Sequence, residues 1–331
     1  MSLQSLPQEL LDNVSQFLHP QDLARLLRTC SQCLYPAHRA LYRHLSISSA
    51  SHNLTALVTI VKKPHLARHV KSFSIELDSG ATVLRSYYRS LSFALGLMTG
   101  LGSLRLAIDP DSSWVLAGVH PASLTRFSSS FPLDHHVTEF LQGTPALIEL
   151  ELDSPHVFHT YPFSSSLQIL PNLEQFSGSC EAAEAIVPGR PVHSVQLSTG
   201  DVDENVVDQL ALSSTNIVIL MATSSLPAPR LLRLLSRRMQ HLVYLRMMTT
   251  YTLNDVPNGD VNFYESVGEA LSDLPDLQAF ELCGMHWGSL KKHEKDDHEK
   301  PVWQAQPLNV SEFSVDESFD TEIYSDLFLG L

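Results

Sequence analysis

One spacing of apolar positions recurs along most of the chain: apolar, two residues, apolar, one residue, apolar. It stands at Val70/Phe73/Ile75, Leu101/Leu104/Leu106, Leu147/Leu150/Leu152, Val192/Val195/Leu197, Leu242/Leu245/Met247, Leu277/Phe280/Leu282 and Val310/Phe313/Val315. Weaker copies start at Leu124, Leu173 and Ile217, where Ser129, Gly178 and Ala222 take the third apolar place. Alternation of this kind predicts a short strand with one buried face. Between the copies the period changes to that of a helix. The segment 81–98 puts Leu84, Tyr87, Leu91, Leu95 and Met98 on one face, and 203–212, 229–239 and 262–271 are amphipathic too.

A strand–helix pair of this size cannot bury its own apolar face, whereas a stack of pairs can. The ten copies recur with a mean period of about 27 residues, a length that resembles leucine-rich repeats. The expected body is therefore α/β: a solenoid with a parallel β-sheet on the concave side and helices on the convex side. Two features predict an irregular one. The Asn that regular repeats carry three places after the last apolar residue is absent, and Asp78, Asp109, Pro155 and Gly200 stand at four of those places. The spacing also varies, from 19 residues (Leu173 to Val192) to 35 (Leu242 to Leu277). A single α/β domain with a conventional site is the alternative.

The start of the chain follows another pattern. Pro7 suits the first turn of a helix, and Leu10, Leu11, Val14, Phe17 and Leu18 follow at helical spacing. Pro20 stops that helix and starts another, with Leu23, Leu26, Leu27 and Cys30 as its apolar face. Pro36 opens a third segment carrying Ala37, Leu41 and Leu45. Three short helices in about forty residues bury too little apolar surface to be secure alone. Such a module leans on a partner or, in the plainer reading, caps the rest of the fold.

Leu6-Pro7, Glu9-Leu10-Leu11, Val14, Leu18, Asp22-Leu23, Leu26-Leu27 and Cys30 resemble the F-box. The stretches 40–47 and 62–75 are similar to the join that fungal members of that family make between F-box and repeats. The family often carries Trp after the Cys, and here the nearby aromatic is Tyr35. The resemblance implies a three-helix F-box over residues 1–46 and leucine-rich-repeat-like structure over 47–331, with a charged loop insertion at about 288–303. It implies docking to a Skp-type adaptor through Leu6, Pro7, Leu10, Leu11, Val14, Leu18, Leu23 and Leu26, and through the adaptor to a cullin–RING complex. The chain would then be the substrate-recognition subunit of an SCF-type ubiquitin ligase, holding a target protein and carrying no catalytic residue of its own. The alternative is an adaptor-bound or free interaction protein acting outside ubiquitin transfer.

Composition narrows the partners. The net charge of −14, from 36 acidic and 22 basic residues, argues against a general nucleic-acid binder. The longest apolar runs, such as 217–222, are far shorter than a bilayer span, so no membrane partner is expected. Only 4 cysteines occur, far below a secreted disulfide scaffold, which points to the cytoplasm or nucleus. No phosphate-cradling glycine loop and no Gly-x-Ser-x-Gly elbow are found. Cys30 and Cys33 have zinc or redox spacing but no second pair, and read as structural. His293, Asp297 and His298 fall in the charge-rich run 291–300, which reads as a solvated loop. His135-His136 reads as a helix start, and Arg230, Arg233, Arg237 and Arg238 as the wet face of an outer helix, with a contact for an acidic or phosphorylated partner as the alternative. No catalytic residue, metal or cofactor is expected.

Alternation also predicts where a target would bind. The residues between the apolar positions of each strand face the other way. They include Glu149, Glu151 and Asp153, then Ser194, Gln196 and Ser198, then Tyr244, Arg246 and Met248, then Glu281, and finally Glu312, Ser314 and Asp316. Tyr and Arg are frequent at binding hot spots, so Tyr244 and Arg246 are the expected anchors, with the strand from Glu149 steering a basic partner. Contact through loops is the alternative.

Overall fold

Three helices open the chain, α1 (Gln8–Gln16), α2 (Pro20–Leu26) and α3 (Ser31–Arg43), and a strand, β1 (His44–Ser48), follows without a linker. The computed structural model describes residues 6–51, 53–77, 84–153, 169–250, 261–290 and 302–305. After β1 come α4 (Thr55–Lys62), α5 (Pro64–Ala67), β2 (Ser72–Glu76), α6 (Arg85–Leu97), β3 (Ser103–Ala107), a 3₁₀ helix (Pro110–Leu116) and β4 (Arg126–Ser129). Then follow α7 (His135–Gln142), β5 (Glu149–Leu152), β6 (Gln175–Ser179), α8 (Cys180–Ile186), β7 (Ser194–Thr199), α9 (Glu204–Leu210) and β8 (Ile219–Ser224). The described chain closes with α10 (Ala228–Arg238), β9 (Tyr244–Thr249), α11 (Val261–Leu271), β10 (Ala279–Leu282), β11 (Met285–Leu290) and β12 (Val302–Ala305). Each strand pairs with the next, so the 12 strands of the described residues form one open sheet in sequence order, parallel from β1 to β10. The molecule is an α/β, solenoid-like array.

The central apolar position of each repeat explains this order. Leu45, Phe73, Leu104, Phe127, Leu150, Phe176, Val195, Leu220, Leu245 and Phe280 are register partners from strand to strand. All but Leu45 are buried to 2% exposure or less. Each contributes about 2 kcal/mol by leaving water, and only if its neighbours hold the same register. The next inward row is less regular. Ser129 is buried there, and its hydroxyl has no hydrogen-bond partner among the described residues. Gly178 stands in the same row because a Cβ would lie 2.9 Å from Phe176 Cζ and 3.2 Å from the Leu152 carbonyl oxygen. The Phe176 ring thus occupies the space that a third apolar side chain would fill.

Backbone hydrogen bonds tie the coils together just before each strand. Lys71 O accepts from the N–H groups of Gly102 and Ser103, Gly102 O from Thr125 and Arg126, and Thr125 O from Ile148 and Glu149. The same two-donor arrangement recurs as far as Val243 O, which accepts from Gln278 and Ala279. At the other end of the strands no Asn ladder runs, and separate devices replace it. Asp134, Ser179 and Asp203 cap α7, α8 and α9 by accepting from the N–H groups of Val137, Ala182 and Val206. Ser224 Oγ donates to Val202 O at 2.7 Å. On the entrance side, ahead of β7, Arg190, 2% exposed, donates from Nε to Ile169 O at 3.0 Å, and its Nη1 reaches the carbonyl oxygens of Ile186 and Pro188.

Several expected details are corrected. The third helix starts at Ser31, not Pro36, and the proline sits inside it. Leu45 belongs to β1, not to that helix, because the chain turns extended at His44 (φ −123°, ψ 102°). Cys30 lies beyond the end of α2 and stands at the N-cap of α3. Leu84, at the N-cap of α6, is 75% exposed, whereas Leu91, Leu95 and Met98 are buried as expected, Tyr87 packs at their edge, and Tyr88 and Ala94 join the buried face. The sheet is not parallel throughout. At Cys283 (φ 50°) and Gly284 (φ 82°) a two-residue turn reverses the chain, and β11 and β12 add antiparallel strands. Residues 288–290 and 302–303, expected in a loop, are therefore in strands, while 291–300 lie outside the described residues. Trp287, 4% exposed, packs on Phe280 (ring centroids 6.1 Å apart) and Tyr264 (6.0 Å), covering the last repeat. The copy at Val310 also lies outside the described residues.

The orphaned hydroxyl of Ser129 generates a stability prediction. Ser129→Ala removes a buried polar group that makes no bond, so the protein should gain about 1 kcal/mol. An upward shift of the urea unfolding midpoint at constant slope checks this.

Candidate functional site

Two surfaces stand out, one on the helical unit and one on the open face of the sheet. In the helical unit Leu11 and Leu23, each 3% exposed, point inward with Cys33 and Ala37. Arg39 of α3 reaches Asp12 of α1 at 3.3 Å. On the opposite side of α1 and at its C-cap, Leu10 is 47% exposed, Val14 49% and Phe17 89% among the described residues. These three sit at i, i+4 and i+7, one helical stripe. Pro7 is exposed beside them, and Leu6, Leu18 and Leu26 are half-buried. The eight expected adaptor-facing residues therefore divide, with Leu11 and Leu23 holding the unit together. Phe17, the most exposed large apolar side chain of the set, was legible from its helical spacing to Leu10 and Val14.

On the sheet, most of the residues expected to face outward lie in two rows, and the exposed Asp153, Ser198 and Met248 follow at the strand ends. One runs His44, Ser72, Ser103, Arg126, Glu149, Gln175, Ser194, Ile219, Tyr244 and Ala279. The other runs Ser46, Ser74, Arg105, Ser128, Glu151, Ser177, Gln196, Met221, Arg246 and Glu281. A trough of about 430 Å³ crosses β3 to β7, lined by both rows and including Arg105, Arg126, Glu149, Glu151 and Gln196. Arg126 of β4 is the register partner of Glu149, so an arginine stands beside the acidic strand β5. Asp153 is exposed at its end, with its N–H bonded to Ser129 O at 2.8 Å. Arg105 and Arg126 were missed, although the same alternation applied to the copies at Leu101 and Leu124 gives both.

The expected anchors stand elsewhere on this face. Tyr244, Arg246 and Met248 are on β9, four strands from Glu149, which is about 19 Å at normal strand separation. Their neighbours on β8 are Ile219 and Met221. The face thus has a charged and hydroxyl-rich part and a more apolar part, and the two groups of expected residues do not form one site. Met248 is 44% exposed, but Arg246 Nε lies 3.3 Å from Glu281 Oε1, and Glu281 is only 8% exposed. Glu312, Ser314 and Asp316 lie outside the described residues.

Cys30, Cys33, Cys180, His135, His136 and Arg238 lie on helices or at their caps. Cys30 and Cys33 have their Sγ atoms 3.3 Å apart, and the neighbouring Cys33 thiol holds Cys30 below the ordinary thiol range while burial raises Cys33. Burial pushes the Cys180 thiol up to about 12, which keeps it protonated and unreactive. His135 and His136 start α7, and Arg238 of α10 pairs with Asp208 of α9 at 2.9 Å. Among the described residues no group of three or more His, Cys, Asp and Glu is placed to hold a metal, and no helix is long and apolar enough to cross a membrane. His293, Asp297 and His298 lie outside them.

The Arg246–Glu281 pair makes β9 a poor place for simple truncation. Arg246→Ala leaves a buried carboxylate without this partner and should cost about 2 kcal/mol, measured by urea unfolding. Adding Glu281→Gln, which removes the buried charge, should restore most of that loss. Compared with known proteins, the chain matches no protein-family model and no curated protein.

Proposed function

We propose that the chain is a substrate-recognition subunit of an SCF-type ubiquitin ligase. The helical unit docks a Skp-type adaptor, the adaptor brings a cullin–RING complex, and the sheet array holds a target protein. The observation that carries this reading is the uncovered stripe of Leu10, Val14 and Phe17 on a unit whose own core already uses Leu11 and Leu23. A stripe of this kind on a short helix is a binding surface, because an apolar patch left in water favours association. The resemblance of the same stretch to the F-box supplies the partner. Pro7 and the half-buried Leu6, Leu18 and Leu26 form the margin of that surface.

The array supports the second half of the reading. Its outward rows offer a long, mostly polar surface with both signs of charge, suited to a protein partner. Tyr244 and Met248 with the half-buried Met221 supply the apolar contact, and Arg105, Arg126, Glu149, Glu151 and Asp153 supply register and selectivity. Ubiquitin transfer in such an assembly works by proximity, so this chain needs neither cofactor nor metal. Residence in the cytoplasm or nucleus belongs to the same reading.

The test is capture of the partners from cells. Leu10→Glu with Val14→Glu should lower recovery of the Skp-type adaptor by about tenfold, because charge is placed in the centre of the apolar stripe. Both positions are exposed, so the thermal unfolding midpoint should hold. Undiminished recovery overturns the assignment. Recovery of adaptor without cullin assigns the chain to a role outside ubiquitin transfer.

A further inference from the structure

Where the helical unit meets the array there is a second cavity, of about 620 Å³. Its walls come from α3, from α5 and from the turn into β2, and its lining is Leu34, Tyr35, His38, Arg39, Arg43, His65, Arg68, His69 and Lys71. Seven of these nine are Arg, Lys or His. In a protein of net charge −14 this concentration runs against the composition. Among the described residues the carboxylate of Asp12 approaches, and it is taken up by Arg39 at 3.3 Å. Among the described residues no carboxylate pairs with Arg43, Arg68 or Lys71.

The cavity is built, not incidental. Lys71 donates its backbone N–H to Arg43 O at 2.8 Å, which sets the two side chains next to each other on adjacent coils. Gly100 gives the lysine its room: a Cβ there would come within 2.7 Å of Lys71 Nζ. Tyr35 stands edge-on to His69, ring centroids 5.3 Å apart, and His38 lies 6.5 Å from His65. Burial lowers the affinity of His38 for a proton, and His65 and Lys63 lower it further. His69 is lowered by burial and then by Arg39, His38 and His65, with Asp12 opposing. Both histidines are thus biased to the neutral form beside the permanent cations Arg39, Arg43, Arg68 and Lys71, of which Asp12 offsets Arg39.

We propose that this cavity binds a small anion carrying more than one phosphate group. Guanidinium forks match phosphate oxygens two at a time, and an amine adds a movable point charge. Four permanent cations within one cavity suit a ligand with several negative charges, and about 620 Å³ exceeds what a single phosphate fills. A nucleic acid would need a basic track extending across the surface, and the remaining charge of the chain is acidic.

Calorimetric titration of the full chain with sodium pyrophosphate, at ionic strength held constant with NaCl, tests this. Saturable one-site binding is expected, tighter than for orthophosphate. Arg43→Gln with Arg68→Gln should weaken it by about tenfold or more. Arg105→Gln with Arg126→Gln removes the same charge from the sheet face and should leave it unchanged. Circular dichroism follows folding, and His65→Gln with Lys71→Gln repeats the test should the first pair disturb α3. Absence of saturable binding below about 10 mM, or equal weakening by the sheet-face pair, overturns the proposal. So does binding of a phosphoserine peptide, but not of pyrophosphate, through Arg43 and Arg68; that result assigns the cavity to a protein partner.

Discussion

The structure depends on one constraint: the central apolar residue of every repeat must sit beside its counterpart in the next. A slip of one residue in any pair would turn Phe127 or Phe176 to water and carry Arg126 or Gln175 into the core. Register, more than helix length or loop length, is therefore what the chain must hold constant. The backbone respects this. The two-donor carbonyls at the strand entrances repeat in nearly every coil, while caps, turns and spacings vary freely elsewhere. Irregularity is tolerated wherever it leaves the entrance to the strand unchanged.

Much of the array was legible because its signal is a spacing. Strands at Val70, Leu101, Leu147, Val192, Leu242 and Leu277 stand where the apolar positions put them, and so do the weaker ones at Leu124, Leu173 and Ile217. What the spacing missed had no spacing to offer. β1 has two inward residues, Leu45 and Ile47, and no preceding strand to compare with. The reversal at Cys283–Gly284 is marked by a single glycine, and β11 and β12 lack the three-position pattern. Pro36 misled because a proline reads as a helix start, and here its place within α3 is set by packing of Ala37 and Cys33.

The candidate surfaces were legible to a lesser degree, for a physical reason. Alternation says which residues leave the core, and it did so correctly for Glu149, Glu151, Tyr244 and Arg246. It says nothing about lateral distance or pairing, so the separation of β5 from β9 and the hold of Glu281 on Arg246 were out of reach. The basic cavity draws on α3, α5 and the turn after α5, with Arg39 and Lys71 brought together only by folding. No local pattern announces such a cluster. Its existence at the N-terminal helices also means that the acidic balance of the whole chain is a poor guide to the potential near that unit.

Gly178 and Phe176 have a consequence for how this sequence can change. The ring of residue 176 fills the place that the side chain of residue 178 would take, and the register shifts by one residue just beyond it. The two positions therefore form a single unit of inheritance. A side chain can appear at 178 only after the ring at 176 has shrunk, and a smaller residue at 176 alone leaves a void until 178 grows. Passage between the two arrangements crosses a less stable intermediate in either order, so related chains should carry one pairing or the other and seldom a mixture.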